Sequence, residues 1–510
     1  MSYKVVVAGG AVLLAAGVSR AERSEHPNIV LIISDDHRAD WMGHKGTPFM
    51  ETPNLDRLAA EGISFENAFA CSGVCSPSRA SILTGRYAHR ASAPEIVWQN
   101  NSFLQTQKTF AENLKAAGYR TAYIGKLHLG EDELPKPGFD EWIGFPFVGN
   151  FQNQPLWING KRVDQTGFTD DRLAELAAER IRAWSGDPAR PFCVVVGLKA
   201  PHIPFDYPER MKGRLRDTVF EKPETWELRK PGLAGCCLDA AKFPPAIPAY
   251  GGFQEWVRSY SRLALTLDES VGTIVRALET SGQLENTLLI YTSDQGYSLG
   301  EFGLSEKHVA LEQVMRVPMI VRFPAWIPAG SKRSEMVLNL DIAPTVLDVA
   351  GAEPLSGMDG KSWRALFATN PARRKVGSDW RSDFFFSYWS EWDIAMPPMH
   401  ALRTERYKLI EYEAKPLHEL YDLELDPLEK NNLYGTDEAA SVQREMEGRL
   451  RAMKHRIGFA PREQSLLPHA YALAAASPDE EVRLLNGLDA GSVPERAVWM
   501  QQPFDLQSLG

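Results

Sequence analysis

Cysteine, proline and arginine stand close together in "CSGVCSPSRASILTGR", residues 71–86. Pro77 suits the first turn of a helix, where its missing N–H has no intrahelical partner to lose. The residues after it read as that helix, and Gly85 as its end. Cys75 then sits at a helix N-terminus, where free N–H groups and the dipole favour an anion. Arg79, four residues on, shares its face. A reactive side chain and a guanidinium thus meet at one anion-binding spot. Three readings of Cys75 stand side by side: a small buried residue, an activated thiolate, and the precursor of another nucleophile. A cysteine-phosphatase loop needs Cys-x5-Arg, whereas Cys75 and Arg79 are spaced Cys-x3-Arg.

The positioning elements follow from the apolar pattern. Residues 27–34, "PNIVLIIS", form a continuous apolar run ending in Asp35-Asp36, as a strand buried on both faces does. Residues 52–69 read as a helix and then a strand. Residues 109–126 repeat this, with Gly118 closing the helix and Lys126 ending the strand. "RPFCVVVGLKAPH" is another buried strand with His202 just beyond it, and Cys193 inside it reads as a core residue. A long amphipathic helix closed by Gly282 precedes the strand "NTLLIYTSDQG", which ends in Asp294-Gln295. Helices alternating with buried strands define an α/β fold with a large, mostly parallel sheet sandwiched by helices. Asp35, Asp36, Lys126, His128, His202, Asp294 and Gln295 all follow strands. In such a sheet the site lies outside the carboxyl ends of the strands, so this rule gathers all seven at one edge.

After about residue 370 the texture changes to short strand-like pieces and a helix near residues 438–455. We expect a signal peptide at 1–21, a catalytic α/β domain at 22–370, a smaller α+β subdomain with an antiparallel sheet at 371–460, and a C-terminal extension without assigned role at 461–510. The signal peptide rests on Lys4, the apolar residues 5–18 and the small-x-small site Ser19-Arg20-Ala21. The apolar run is shorter than the roughly 20 residues of a spanning helix, so an exported protein, periplasmic or secreted, is expected rather than a membrane-anchored one. Lys and Arg number 56 against 66 Asp and Glu, a net charge of -10 without any basic block. This excludes a nucleic-acid partner on charge grounds, and any anionic substrate must meet a local cationic pocket. The five cysteines, an odd count, leave at least one thiol outside any disulfide. Cys236 and Cys237 have no assigned role.

"CSPSRASILTGR" resembles the signature of the type I sulfatases in the alkaline phosphatase superfamily: Cys-x-Pro-Ser-Arg followed by Leu-Thr-Gly-Arg, here Leu83 to Arg86. Further motifs agree in order across residues 28–434. Asp35-Asp36 and Asp294-Gln295 match the family's four ligands to a divalent cation. Three carboxylates and one amide carbonyl are hard oxygen donors, suited to Ca2+, with Mg2+ as the alternative, rather than to zinc. "GKLHLG" supplies Lys126 and His128, with Leu127 in place of the usual tryptophan. "APHIPF" supplies His202, and "GEFGLSEK" supplies Lys307. The Leu311-Glu312-Gln313-Val314 that follows departs from the family's Tyr-Glu-Glu-Ser, so contacts there are expected to differ.

The resemblance implies sulfate-ester hydrolysis. Cys75 would be oxidised to Cα-formylglycine by a formylglycine-generating or anaerobic sulfatase-maturating enzyme. The hydrated aldehyde, a gem-diol, would attack sulfur. The cation, Arg79, Lys126 and Lys307 would hold the sulfate oxygens. His202 would serve as general acid to the leaving alcohol, and His128 as the base that restores the aldehyde; Asp294 would assist deprotonation as well as bind metal. The sequence looks most like carbohydrate sulfatases resembling N-acetylglucosamine-6-sulfatases and iduronate-2-sulfatases, which implies a sulfated polysaccharide or glycosaminoglycan as substrate. Trp98, Gln99, Asn100, Asn101, His400 and Arg403 are candidate sugar contacts or ordinary loop residues. Two rival readings are a phosphonate monoester or phosphodiester hydrolase of the same superfamily, and a non-catalytic sulfated-glycan binder in which Cys75 stays unmodified.

Overall fold

Residues Asn28–Ser34 form strand β1, and all seven are buried. Successive side chains of a strand point to opposite faces. Ile29, Leu31 and Ile33 accordingly enter one core, and Val30 and Ile32 enter another. A strand that must be apolar on both faces is the centre of a three-layer sandwich. The computed structural model describes residues 26–93, 107–187, 189–230, 246–367, 380–389, 397–413 and 418–460. The expected signal peptide, residues 461–510, Cys236, Cys237 and the candidate sugar contacts Trp98, Gln99, Asn100 and Asn101 lie outside the described residues.

Beside β1 the sheet contains β2 (Ile63–Phe65), β3 (Arg120–Gly125), β4 (Glu141–Gly144), β5 (Leu156–Ile158), β6 (Lys161–Val163), β7 (Phe192–Gly197), β8 (Thr287–Ser293), β9 (Met319–Arg322) and β10 (Ser331–Arg333). The ten strands run in the order β10-β2-β9-β8-β1-β7-β3-β4-β5-β6. The centre, β8-β1-β7-β3-β4, is parallel throughout. β9 is antiparallel to both its neighbours, and β4-β5-β6 form an antiparallel edge. The sheet is therefore mixed, with the expected parallel part where the candidate residues emerge.

One face is covered by helices α2 (Cys75–Thr84), α3 (Phe110–Ala116) and α6 (Ile342–Ala350). The other is covered by α1 (Pro53–Glu61), α4 (Thr169–Trp184) and the 28-residue α5 (Phe253–Thr280). Local signals set their ends. Glu112 Oε2 accepts from the Thr109 N–H at 3.0 Å at the start of α3, satisfying an N–H the helix cannot pair itself. Gly85 ends α2 at φ +68, a conformation that favours glycine.

The C-terminal part is an antiparallel sheet of β11 (Asp383–Tyr388), β12 (Met399–Thr404), β13 (Tyr407–Tyr412) and β14 (Glu419–Asp422), with helix α7 (Ala440–Arg456) packed on it. Its core is shared with Phe69 of the short strand Ala68–Phe69 and with Val314 and Met315 of the short helix Glu312–Met315. His400 and Arg403 correct an expectation. Both lie in β12 and are almost fully buried. His400 pairs with Glu413 at 3.0 Å and Arg403 with Glu312 at 3.1 Å. They are strand residues rather than loop residues; Arg403 offsets the buried charge of Glu312, while burial holds the His400 imidazole below its ordinary value.

Candidate active site

The ends of four central strands converge. Backbone pairing continues past them: the Asp35 N–H donates to the Ala200 carbonyl at 3.1 Å, and the Asp294 N–H to the Ser34 carbonyl at 3.1 Å. The Lys126 N–H donates to the Gly197 carbonyl at 2.8 Å. Gly125 permits this approach, because a Cβ there would lie 2.0 Å from the Gly197 oxygen. The residues just after β1, β3, β7 and β8 are thereby fixed relative to one another.

Cys75 begins α2 and is buried among them. Its sulfur lies 3.2 Å from Lys307 Nζ, 3.6 Å from Lys126 Nζ, 3.6 Å from Gln295 Nε2 and 3.7 Å from Asp35 Oδ1. Burial pushes the thiol up to about 11, against the opposing pull of Lys126 and Lys307. A group held protonated at neutral pH is a poor thiolate nucleophile. Without a cation in the site, the helix N-terminus does not offset this burial.

All ten candidate residues gather here. Arg79 Nε donates to Asp294 Oδ2 at 2.9 Å, and its Nη1 to the Lys126 carbonyl at 2.7 Å. Its Nη2 has no hydrogen-bond partner among the described residues. Lys126 pairs with Asp35, and Lys307 holds both oxygens of Asp36 at 2.8 and 2.9 Å. His202 Nε2 lies 3.8 Å from Asp36 Oδ2, and its Nδ1 meets the Ile203 carbonyl. The Asp35, Asp36 and Asp294 carboxylates offer oxygens within 4.8 Å of one another, all fully buried. Gln295 Nε2 donates to Asp36 Oδ1 at 2.5 Å, while its Oε1 is buried without a hydrogen-bond partner among the described residues. A half-turn of that amide exchanges the two ends, and turns a carbonyl oxygen toward the carboxylates. This donor set fits a hard divalent cation.

The electrostatics point the same way. Burial first, then the Asp35 charge, pushes Asp294 up to about 7, and burial also raises Asp36. Burial works to raise Asp35 too, but Lys126, His202, Arg79 and Lys307 outweigh it and hold that carboxyl well below its ordinary range. Burial, then Lys126 for His128 and Lys307 for His202, holds both imidazoles well below their ordinary value. Three carboxylates face three cationic side chains, so a bound divalent cation makes the pocket net positive, as an anionic substrate requires.

Several supporting residues carried no sequence signal of their own. Ser78 donates to the Asp294 carbonyl and accepts from Asn339 Nδ2 at 2.8 Å. Ser76 Oγ donates to the His128 carbonyl at 2.5 Å. Lys199 is fully buried, 4.5 Å from the Phe151 ring centre and 3.3 Å from the Ile203 carbonyl. Burial, then Lys126, brings it down to about 7. The two serines lie inside the quoted motif, and Lys199 is three residues before His202. Proximity in sequence was the only available pointer.

An α/β sheet carrying a nucleophile position, a hard-cation donor set and two imidazoles at one edge defines an ester hydrolase that acts on anions. Comparison with protein families matches residues 27–352 to the sulfatase family, and residues 300–456 to the C-terminal part of N-sulphoglucosamine sulphohydrolase. The chain belongs to the sulfatase family and is a sulfuric ester hydrolase. It is 31% identical to an N-acetylglucosamine-6-O-sulfatase of Bacteroides thetaiotaomicron, over 83% of this chain and 86% of that protein. A solved structure of a protein in complex with its substrate D-glucosamine-2-N,6-O-disulfate superposes with a TM-score of 0.76 at 28% identity, covering 85% of this chain and 98% of the other. A phosphonate monoester hydrolase of Agrobacterium radiobacter shares the fold, with a TM-score of 0.69 at 21% identity over 85% of this chain and 96% of the other.

Proposed function

We propose that this enzyme removes a sulfate ester from a sugar of a sulfated polysaccharide or glycosaminoglycan. The observation that carries this is Cys75 at the start of α2, within 3.2–3.7 Å of Lys307, Lys126, Gln295 and Asp35. The Bacteroides relative and the substrate complex above support a sulfated glucosamine-type sugar. The phosphonate and phosphodiester reading rests on likeness of fold alone. A pure glycan binder has no use for two imidazoles beside Cys75.

Cys75, oxidised to Cα-formylglycine by a maturation enzyme, supplies a hydrated aldehyde as nucleophile. Asp35, Asp36, Asp294 and Gln295 would hold a divalent cation, in our reading calcium, which would supply positive charge to polarise the sulfate. Arg79, through Nη2, which makes no hydrogen bond among the described residues, and Lys126 and Lys307 bind the sulfate oxygens and offset charge that develops on them. His202 directs Nε2 toward the pocket, because its Nδ1 is engaged by the Ile203 carbonyl. The negative charge of bound sulfate opposes the Lys307 charge that disfavours imidazolium, so His202 can carry the proton that the leaving alcohol needs. His128, kept neutral by burial and Lys126, is the base that accepts the second hydroxyl's proton. Residues 22–370 form the catalytic unit in this reading, residues 371–460 a supporting subdomain, and residues 1–21 export the protein. Among the described residues no helix is long and apolar enough to cross a membrane.

The experiment compares sulfate release from N-acetylglucosamine 6-sulfate with turnover of phosphonate monoesters and phosphodiesters, for converted wild type and Cys75→Ala. Preference for the sulfated sugar, lost in Cys75→Ala, is expected. Faster phosphonate turnover would move the enzyme to the rival reading.

A further inference from the structure

Lys126 and His128 stand on a loop, residues 126–136, that leaves the carboxyl end of β3. His128 is held there at φ +61, in the left-handed region that non-glycine residues avoid. Such a conformation persists only when its surroundings over-determine it. Here they do. The His128 N–H donates to Asp132 Oδ2 at 2.7 Å, and the Leu129 N–H donates to Asp132 Oδ1 at 3.3 Å. The His128 carbonyl accepts from Ser76 Oγ, the residue next to Cys75.

Asp132 is itself fixed. Its carboxylate is almost wholly buried, and its carbonyl accepts from Trp142 Nε1 at 2.7 Å. Trp142 stacks on Tyr123, with ring centres 5.0 Å apart. The Tyr123 hydroxyl donates to the Lys126 carbonyl at 2.6 Å. Lys136 Nζ donates to the Gly130 carbonyl at 2.9 Å and lies 5.9 Å from the Trp142 ring centre. The loop is therefore closed from Lys126 to Lys136 and back onto β3 and β4.

We propose that Asp132 is a positioning residue for His128. Its two oxygens hold consecutive N–H groups, impose the left-handed turn, and set the direction in which the imidazole leaves the backbone. This rests on the reading of His128 as the base that completes turnover. Asp132 touches no substrate in this account and acts only through His128. Ordinary loop capping would use the same hydrogen bonds, and the difference lies in coupling to His128.

The test measures kcat, KM and melting temperature for Asp132→Ala and Asp132→Asn, each in wild-type and His128→Ala backgrounds. Conversion of Cys75 is checked by mass, and N-acetylglucosamine 6-sulfate is the substrate. Loss of an outer hydrogen-bond partner typically costs about 10–100-fold. Asp132→Ala is expected to lose kcat in that range with KM little changed, and to lose nothing further in the His128→Ala background. Asp132→Asn, which keeps one carbonyl acceptor, is expected to fall between. Intact-mass spectra under turnover are expected to show sulfate retained on the protein in Asp132→Ala as in His128→Ala. Equal fold-losses in both backgrounds, or wild-type kcat in a folded Asp132→Ala, would overturn the proposal. If Asp132→Ala does not fold, Asp132→Asn carries the same comparison. Failure of the underlying function would look different, because wild type would then release no sulfate.

Discussion

Lys307 Nζ lies 3.2 Å from the Cys75 sulfur and 2.8 Å from Asp36 Oδ1. One ammonium thus touches both the proposed nucleophile position and a proposed cation ligand. Asp36 and Cys75 both raise the affinity of Lys307 for its proton, against burial. It is a fixed charge, not a proton carrier. Removing one such preorganised donor typically costs about 10²–10³ in kcat. Lys307→Met is expected to lose that much activity while the chain stays folded. Steady-state kinetics with circular dichroism checks it.

The proposed cation ligands make stability depend on pH more strongly when the cation is absent. In the metal-free protein burial, then Asp35, pushes Asp294 up to about 7 from the ordinary 3.8. The folded state then binds this proton more tightly than the unfolded chain does. Its contribution to stability is complete below about pH 4 and is lost as pH rises through about 7. A nearby cation favours the ionised carboxylate and removes the loss. With a chelator, the melting temperature is expected to fall as pH rises from about 5 to 8. With calcium in excess it is expected to stay higher and vary less.

His202 and the leaving group give a sharper test of role. A general acid matters most when the departing alkoxide is a poor leaving group. His202→Ala is expected to lose about 10²–10⁴ on a sugar sulfate and far less on p-nitrophenyl sulfate. Equal losses on both esters would remove the acid role.

How far the sequence reached follows from where each residue stands. Asp35, Asp36, Lys126, Asp294 and Gln295 were legible because they follow strands whose apolar runs are unbroken, and the sheet edge does the rest. Lys307 follows a short two-residue strand at Ser305–Glu306, outside the ten-stranded sheet, so only the family motif marked it. Asp132 was invisible because its role depends on the positive φ at His128, which no residue type announces. His400 and Arg403 were read as sugar contacts or loop residues because polar residues in a short strand-like piece read as surface. Here the sheet is buried on both sides, and partner carboxylates, Glu413 and Glu312, make that burial tolerable.

Those partner carboxylates make the C-terminal sheet a testable support. Glu312 is buried and accepts from Arg316, Arg403 and Lys408 at 2.9, 3.1 and 3.3 Å. Lys408 Nζ also donates to the Ala310 carbonyl at 2.7 Å, three residues beyond Lys307. Removing one partner of a buried charge group typically costs about 3–5 kcal/mol. Glu312→Ala is expected to lower the unfolding free energy by that order, read by denaturant titration. Glu227→Ala, at the exposed surface, is expected to change it little.

The most direct measurement is peptide mass spectrometry across residue 75, on protein made with a formylglycine-generating or anaerobic sulfatase-maturating enzyme. Conversion of the cysteine to its aldehyde lowers the peptide mass by about 18 Da, and that shift, together with sulfate release, is the predicted result. An unmodified Cys75 thiol in protein that nevertheless hydrolyses sulfate esters at full rate would contradict the account.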